Sequence, residues 1–112
     1  MTISTHVLDA SLGVPGTGIS VTLSRLEIAW IDVESGVTDP DGRHRFLADA
    51  APGTYCLTFR TGAYFAARAV QSFYPEVAVT FTIADPADGM SPGHYHVPLL
   101  LSPFAYSTYR GS

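Results

Sequence analysis

Lysine is missing from this chain, whose six basic residues are all arginines. Without it, neither a Schiff base nor a P-loop phosphate site can be built. Cys56 is the single cysteine, so an internal disulfide framework is excluded. It lies in the strand-like run Thr54-Tyr-Cys-Leu-Thr-Phe-Arg60 with nothing evident to activate the thiol, and a packing role is expected. Charge is scarce as well: charged residues make up 14 % of the 112 residues and hydrophobic ones 46 %. A single domain of this size has much surface for its volume, so part of that surface is expected to be covered by other subunits. The net charge of −4 and the scattered arginines leave no footprint for nucleic acid. No apolar run approaches the roughly 18 residues of a membrane span. The opening Met-Thr-Ile-Ser-Thr-His has neither a basic nor an apolar leader region, and a cytoplasmic location is expected.

What is present reads as strand after strand. Residues 2–8 alternate and meet a turn cluster, Asp9-Ala-Ser-Leu-Gly-Val-Pro-Gly-Thr-Gly18. Ile19, Val21 and Leu23 recur at period two, which marks a half-buried strand over 19–24. Further strands are predicted over 27–33, 43–47, 54–60, 76–84, 94–101 and 104–110. Asp39-Pro-Asp-Gly42 is a strong turn signal, because Pro presets φ and Asp-Gly tolerates the left-handed region. Residues 63–72, with Ala66-Ala67-Arg68, form the one helical candidate, and 85–93 read as a loop. Eight short strands and one brief helix over residues 1–112 predict a single all-β domain, an antiparallel β-sandwich of two sheets.

The last nineteen residues carry more chemistry than a chain terminus usually does. Strand alternation places His94 and His96 on one face and Tyr95, Val97 and Leu99 on the core face. His6 falls off the core face of its own strand, and Thr108, Arg110 and Ser112 share a face. Three histidines and an arginine are thus aimed away from the core, as a shared external or inter-subunit pocket would require. His44, between two arginines, reads as solvated. Two chemistries suit the set. A histidine ionising at about pH 6.5 can move a proton between water and a leaving group while an arginine fork holds an oxyanion. Alternatively, His94-x-His96 with His6 makes a three-nitrogen zinc set with one open position.

Five segments carry a family resemblance: Ser4-Thr-His-Val-Leu-Asp9, Thr38-Asp-Pro-Asp-Gly-Arg43, Phe73-Tyr-Pro-Glu-Val77, His94-Tyr-His-Val-Pro-Leu-Leu-Leu-Ser-Pro and Tyr106-Ser-Thr-Tyr-Arg-Gly-Ser112. Through them the chain resembles the transthyretin-related proteins, in the branch of 5-hydroxyisourate hydrolases of urate degradation. The resemblance implies a prealbumin-like sandwich of two four-stranded sheets and a homotetramer with active sites at the dimer–dimer interface. It also implies His6, Arg43, His96 and Ser112 as catalytic positions, with His94, Tyr109, Arg110 and Gly111 lining the pocket. The implied reaction opens the N1–C6 bond of 5-hydroxyisourate to 2-oxo-4-hydroxy-4-carboxy-5-ureidoimidazoline, with no cofactor and no metal. A carrier of small hydrophobic ligands using the same channel is the reading from another class.

Overall fold

The computed structural model describes residues 1–85 and 93–112, so most of the loop expected over 85–93 lies outside the described residues. In chain order the elements are β1 (Thr2–Asp9), β2 (Val14–Pro15), β3 (Ser20–Leu26), β4 (Trp30–Val37) and β5 (Arg43–Arg45). They continue as β6 (Gly53–Phe59), α1 (Thr61–Ala66), β7 (Val77–Ile83), β8 (His94–Leu101) and β9 (Tyr106–Thr108). One sheet runs β4-β3-β6-β7. The other runs β2-β1-β8-β9, with β5 also paired to β1. Because β8 takes one edge of β1 along its whole length, β2 and β5 share the opposite edge, against Leu8–Asp9 and Ser4–His6 respectively. The expected four-strand width therefore holds, with two short strands in one place.

Alternation decides which faces meet. β1 buries every second residue, Ile3, Thr5, Val7 and Asp9, and leaves Ser4 and His6 on the outside. Ile19 just before β3, Val21 and Leu23 within it, Leu57 and Phe59 from β6, and Leu99 and Leu101 from β8 close the core. Among the described residues Asp9 is the one buried carboxylate. Burial alone would raise its pKa, but bonds from the side chain and backbone of Ser11, from Leu12 N and from the Tyr64 hydroxyl outweigh this and lower it. The same burial and the Asp9 carboxylate push the Tyr64 hydroxyl up to about 12.

Three expectations change. The sheet holding β1 is mixed, not purely antiparallel, because β1 and β8 run parallel from Thr2–His94 to Asp9–Leu101. The helix is Thr61–Ala66 rather than 63–72. It is held by buried Thr61, Tyr64 and Phe65, and it is over before Ala69, which sits at φ 57. Burial thus places this helix where propensity does not. The strand expected over 27–33 is Trp30–Val37, because residues 27–29 form the hairpin connection closed by Glu27 N to Ala29 O.

Candidate active site

The turn at Asp39–Gly42 sets one side of the site. Asp39 Oδ1 accepts from the backbone N–H of Asp41 and of Arg43, both at 2.9 Å. Gly42 sits at φ 77, and a Cβ there would lie 2.4 Å from Val7 O, so only glycine fits against β1. Gly42 O in turn accepts from Val7 N. This docking pairs Arg43 with His6 and Arg45 with Ser4. His6 Nε2 lies 3.0 Å from Asp41 O. A carbonyl only accepts, so Nε2 carries the proton and Nδ1 keeps its lone pair.

The other side comes from β8 and the tail. β9 pairs Leu99 with Thr108, and an isolated bridge joins His96 to Gly111 in the same register. The ladder lapses between them where Pro98 has no N–H to give. Residues in register share a face, so two rows cross the sheet on its outer side. They are Arg45·Ser4·His96·Gly111 and Arg43·His6·Pro98·Tyr109, the last partner following from the continued register. Gly111 N donates to His96 O at 2.9 Å. A Cβ on Gly111 would lie 2.5 Å from His96 Cδ2, so the tail crosses closely over that ring.

A cleft of about 260 Å³ opens on this face, lined by Ser4, Arg43, Arg45, His94 and His96 among others. His94 and His96 stack with ring centroids 6.5 Å apart. Ser4 Oγ bridges them, 3.0 Å from His94 Nε2 and 2.8 Å from His96 Nδ1, and Thr2 Oγ1 bonds His94 Nδ1. Partial burial, then electrostatic repulsion from His6, His94 and Arg43, lowers the His96 pKa below its usual 6.5. Among the described residues no hydrogen bond or ion pair occupies the Arg43 guanidinium, which leaves it available for an anionic oxygen.

The expected set is therefore gathered in part. His6, Arg43, His94, His96 and Gly111 come together on one face. Ser112 is exposed just beyond the bridge, and Tyr109 is 58 % exposed. Arg110 is a correction: register puts it opposite Val97, on the other face from His96. Its guanidinium lies 5.5 Å from the Tyr95 ring centroid, in a groove of about 410 Å³ between β7 and the tail. That groove is the larger one, but only His96 of the histidine set borders it, whereas Arg43, His94 and His96 all border the smaller cleft. His44 is a second correction. Paired with Thr5, it turns inward, edge-on to Phe46 at 4.6 Å, with Nε2 4.0 Å from Glu34. Gly36 makes the room, since a Cβ there would sit 2.2 Å from the His44 ring. Among the described residues no three His, Cys, Asp or Glu side chains meet in a metal-holding group. Ser4 escaped sequence reasoning; its sharing a strand face with His6 was the available signal.

Known proteins resemble this chain over nearly its whole length. A 5-hydroxyisourate hydrolase of Salmonella dublin is 43 % identical over 114 residues, covering 98 % of this chain and 80 % of that protein. The solved structure of Klebsiella pneumoniae 5-hydroxyisourate hydrolase superposes with a TM-score of 0.86 at 39 % identity, with each chain covered fully. Transthyretin from Sparus aurata has the same TM-score, 0.86, at a lower identity of 30 %, covering 97 % of this chain and 95 % of that one. A model of the HIUase/Transthyretin family matches residues 3–111, and the chain belongs to that family.

Proposed function

We propose that residues 1–112 form one transthyretin-like domain that hydrolyses 5-hydroxyisourate. The observation that carries the reading is the pair of polar rows on the outer face, where Arg43, His6 and His96 converge beside the tail. Arg43 holds a substrate carbonyl oxygen and stabilises the negative charge that develops on it. The attacking water sits between the free nitrogens of His6 and His96. His6 Nδ1 orients it, and His96 Nε2, kept neutral at pH 7 by its lowered pKa, takes its proton. A bond forms from the water oxygen to C6 and the C6–N1 bond breaks. The proton on His96 passes to the departing nitrogen, restoring the neutral ring. His94, Tyr109 and Gly111 line the substrate's approach, and Arg110 and the Ser112 hydroxyl, which share a face, join from the tail's other side.

The same reading includes a homotetramer with these faces at a dimer–dimer interface. It is supported by apolar surface left open on the single chain, with Phe104 62 %, Tyr106 41 % and Tyr109 58 % exposed near the β9 edge. No helix among the described residues is long and apolar enough to cross a membrane. A cytoplasmic setting fits the free, buried Cys56 thiol.

The test is the decay of freshly generated 5-hydroxyisourate, followed by ultraviolet absorbance with and without the protein, before and after exhaustive chelation. Acceleration that survives chelation supports a histidine-driven reaction. Loss on chelation with recovery on added zinc would support the zinc alternative, and no acceleration at all would favour the carrier.

A further inference from the structure

A serine hydroxyl has one proton to give, yet Ser4 Oγ touches two ring nitrogens, His94 Nε2 at 3.0 Å and His96 Nδ1 at 2.8 Å. It can donate to only one of them and must accept from the other. The two imidazoles therefore cannot choose their tautomers independently. In one polarity His96 Nδ1–H donates to Ser4, Ser4 donates to His94 Nε2, and His94 Nδ1–H donates to Thr2 Oγ1. His96 Nε2 is then bare. In the opposite polarity Thr2 donates to His94, His94 Nε2–H donates to Ser4, Ser4 donates to His96 Nδ1, and the His96 proton sits on Nε2. Only the first polarity leaves His96 able to accept a proton from water.

We propose that Ser4 is a positioning residue that holds His96 in the Nδ1–H tautomer and couples that choice to His94 and Thr2 through one continuous hydrogen-bond chain. The proposal rests on the reading of His96 as the base. The fold supports it independently of that reading: parallel pairing sets Ser4 beside His96 and Thr2 beside His94, so the chain follows from backbone register rather than from a chance rotamer. When His96 takes up a proton on Nε2, its Nδ1–H remains bonded to Ser4, now as a charge-assisted bond. His6 needs no such device, because the Asp41 carbonyl fixes its tautomer directly.

The experiment compares the full chain with Ser4→Ala and Ser4→Thr. Nitrogen-15 NMR of the histidine rings above pH 7 should show His96 protonated at Nδ1 in the parent protein. In Ser4→Ala that population should shift toward Nε2–H while the amide spectrum stays folded. Ser4→Thr, which keeps the hydroxyl, should restore it. Turnover of 5-hydroxyisourate by Ser4→Ala should drop about 10- to 100-fold with KM little changed, part of the roughly 10²–10⁴-fold that proton transfer supplies. A parent His96 protonated at Nε2, or a tautomer and turnover unchanged in Ser4→Ala, overturns the proposal. A parent protein that is inert toward 5-hydroxyisourate would sink the catalytic reading instead, and the ring spectra would still decide the role of Ser4.

Discussion

Replacing Gly111 by alanine tests whether the tail sets the position of His96. The added Cβ would stand 2.5 Å from His96 Cδ2 and 3.2 Å from both His96 Cγ and Pro98 Cγ. Carbon atoms pack at about 3.5–4.0 Å, so the overlap is near 1 Å and something must move. Overpacking of this kind costs about 1–3 kcal/mol if the ring and tail both stay. Two escapes are cheaper. The tail can lift and break the 2.9 Å bond from Gly111 N to His96 O, worth about 1 kcal/mol. Otherwise the His96 ring can turn, giving up its 2.8 Å contact with Ser4. Either displacement is of the size that costs about 100-fold in rate when a reacting group is misplaced by about 1 Å. Turnover of 5-hydroxyisourate in Gly111→Ala should therefore fall roughly 10- to 100-fold. Thermal unfolding should move little, by about 4 °C or less for a loss of about 1 kcal/mol in a domain of this size. Full activity at an unchanged melting temperature would refute the claim that this contact positions His96.

Four further outcomes are expected. Asparagine at His6 or at His96 should cut turnover by about 10²–10⁴-fold with the fold retained, because both rings lie off the core; near-normal rates in both variants would remove them from the mechanism. The rate should fall on acidification with its midpoint below 6.5, since the His96 pKa is lowered, and a profile flat from about pH 5 to 8 would count against a histidine base. The same shift makes the unfolded chain bind more protons below pH 6.5, so urea titrations should show His96 favouring the fold above that pH and withdrawing its support as pH falls through the lowered value. Tyr64→Phe removes the 2.8 Å donor to buried Asp9 Oδ2 and should destabilise the domain by about 1–3 kcal/mol in urea, against the expectation that loss of one hydroxyl is neutral.

The strands of the sandwich are legible because burial imposes period two on the residues themselves. The strand 94–101 agrees with its prediction end to end, since Tyr95, Val97, Leu99 and Leu101 are all buried. Strand direction is not written in that pattern, and the parallel pairing of β1 with β8 could be reached only through the three-dimensional register. Sequence puts the helix too far along because Ala66-Ala67-Arg68 signals propensity, whereas Tyr64 and Phe65 supply the burial that holds it. The histidine face could be read from alternation, but not which side Arg110 or His44 would take. Each depends on a partner strand, Val97 opposite Arg110 and Thr5 opposite His44. Ser4 was hidden for a simpler reason. A serine on an outer strand face looks solvated until two histidines from another strand are set beside it.

The union of β1 with β8 also has a consequence for how the molecule is made. Thr2 and His94 are neighbours in space and 92 residues apart along the chain, and every pair in that ladder shares the same span. At about 5–20 residues per second, synthesis leaves the first strand waiting roughly 5–20 s for its neighbour. During that interval Ile3 and Val7 have no β8 beside them, and a nascent chain stalled before residue 94 owns neither a complete first sheet nor any part of the His94–His96 pair. A product that stops short of residue 94 therefore cannot hold the β1–β8 ladder. Long-range pairing of this kind also belongs to the slow end of folding rates, so early shielding of the N-terminal strand by a chaperone should raise the yield of active protein more than it raises the stability of what has already folded.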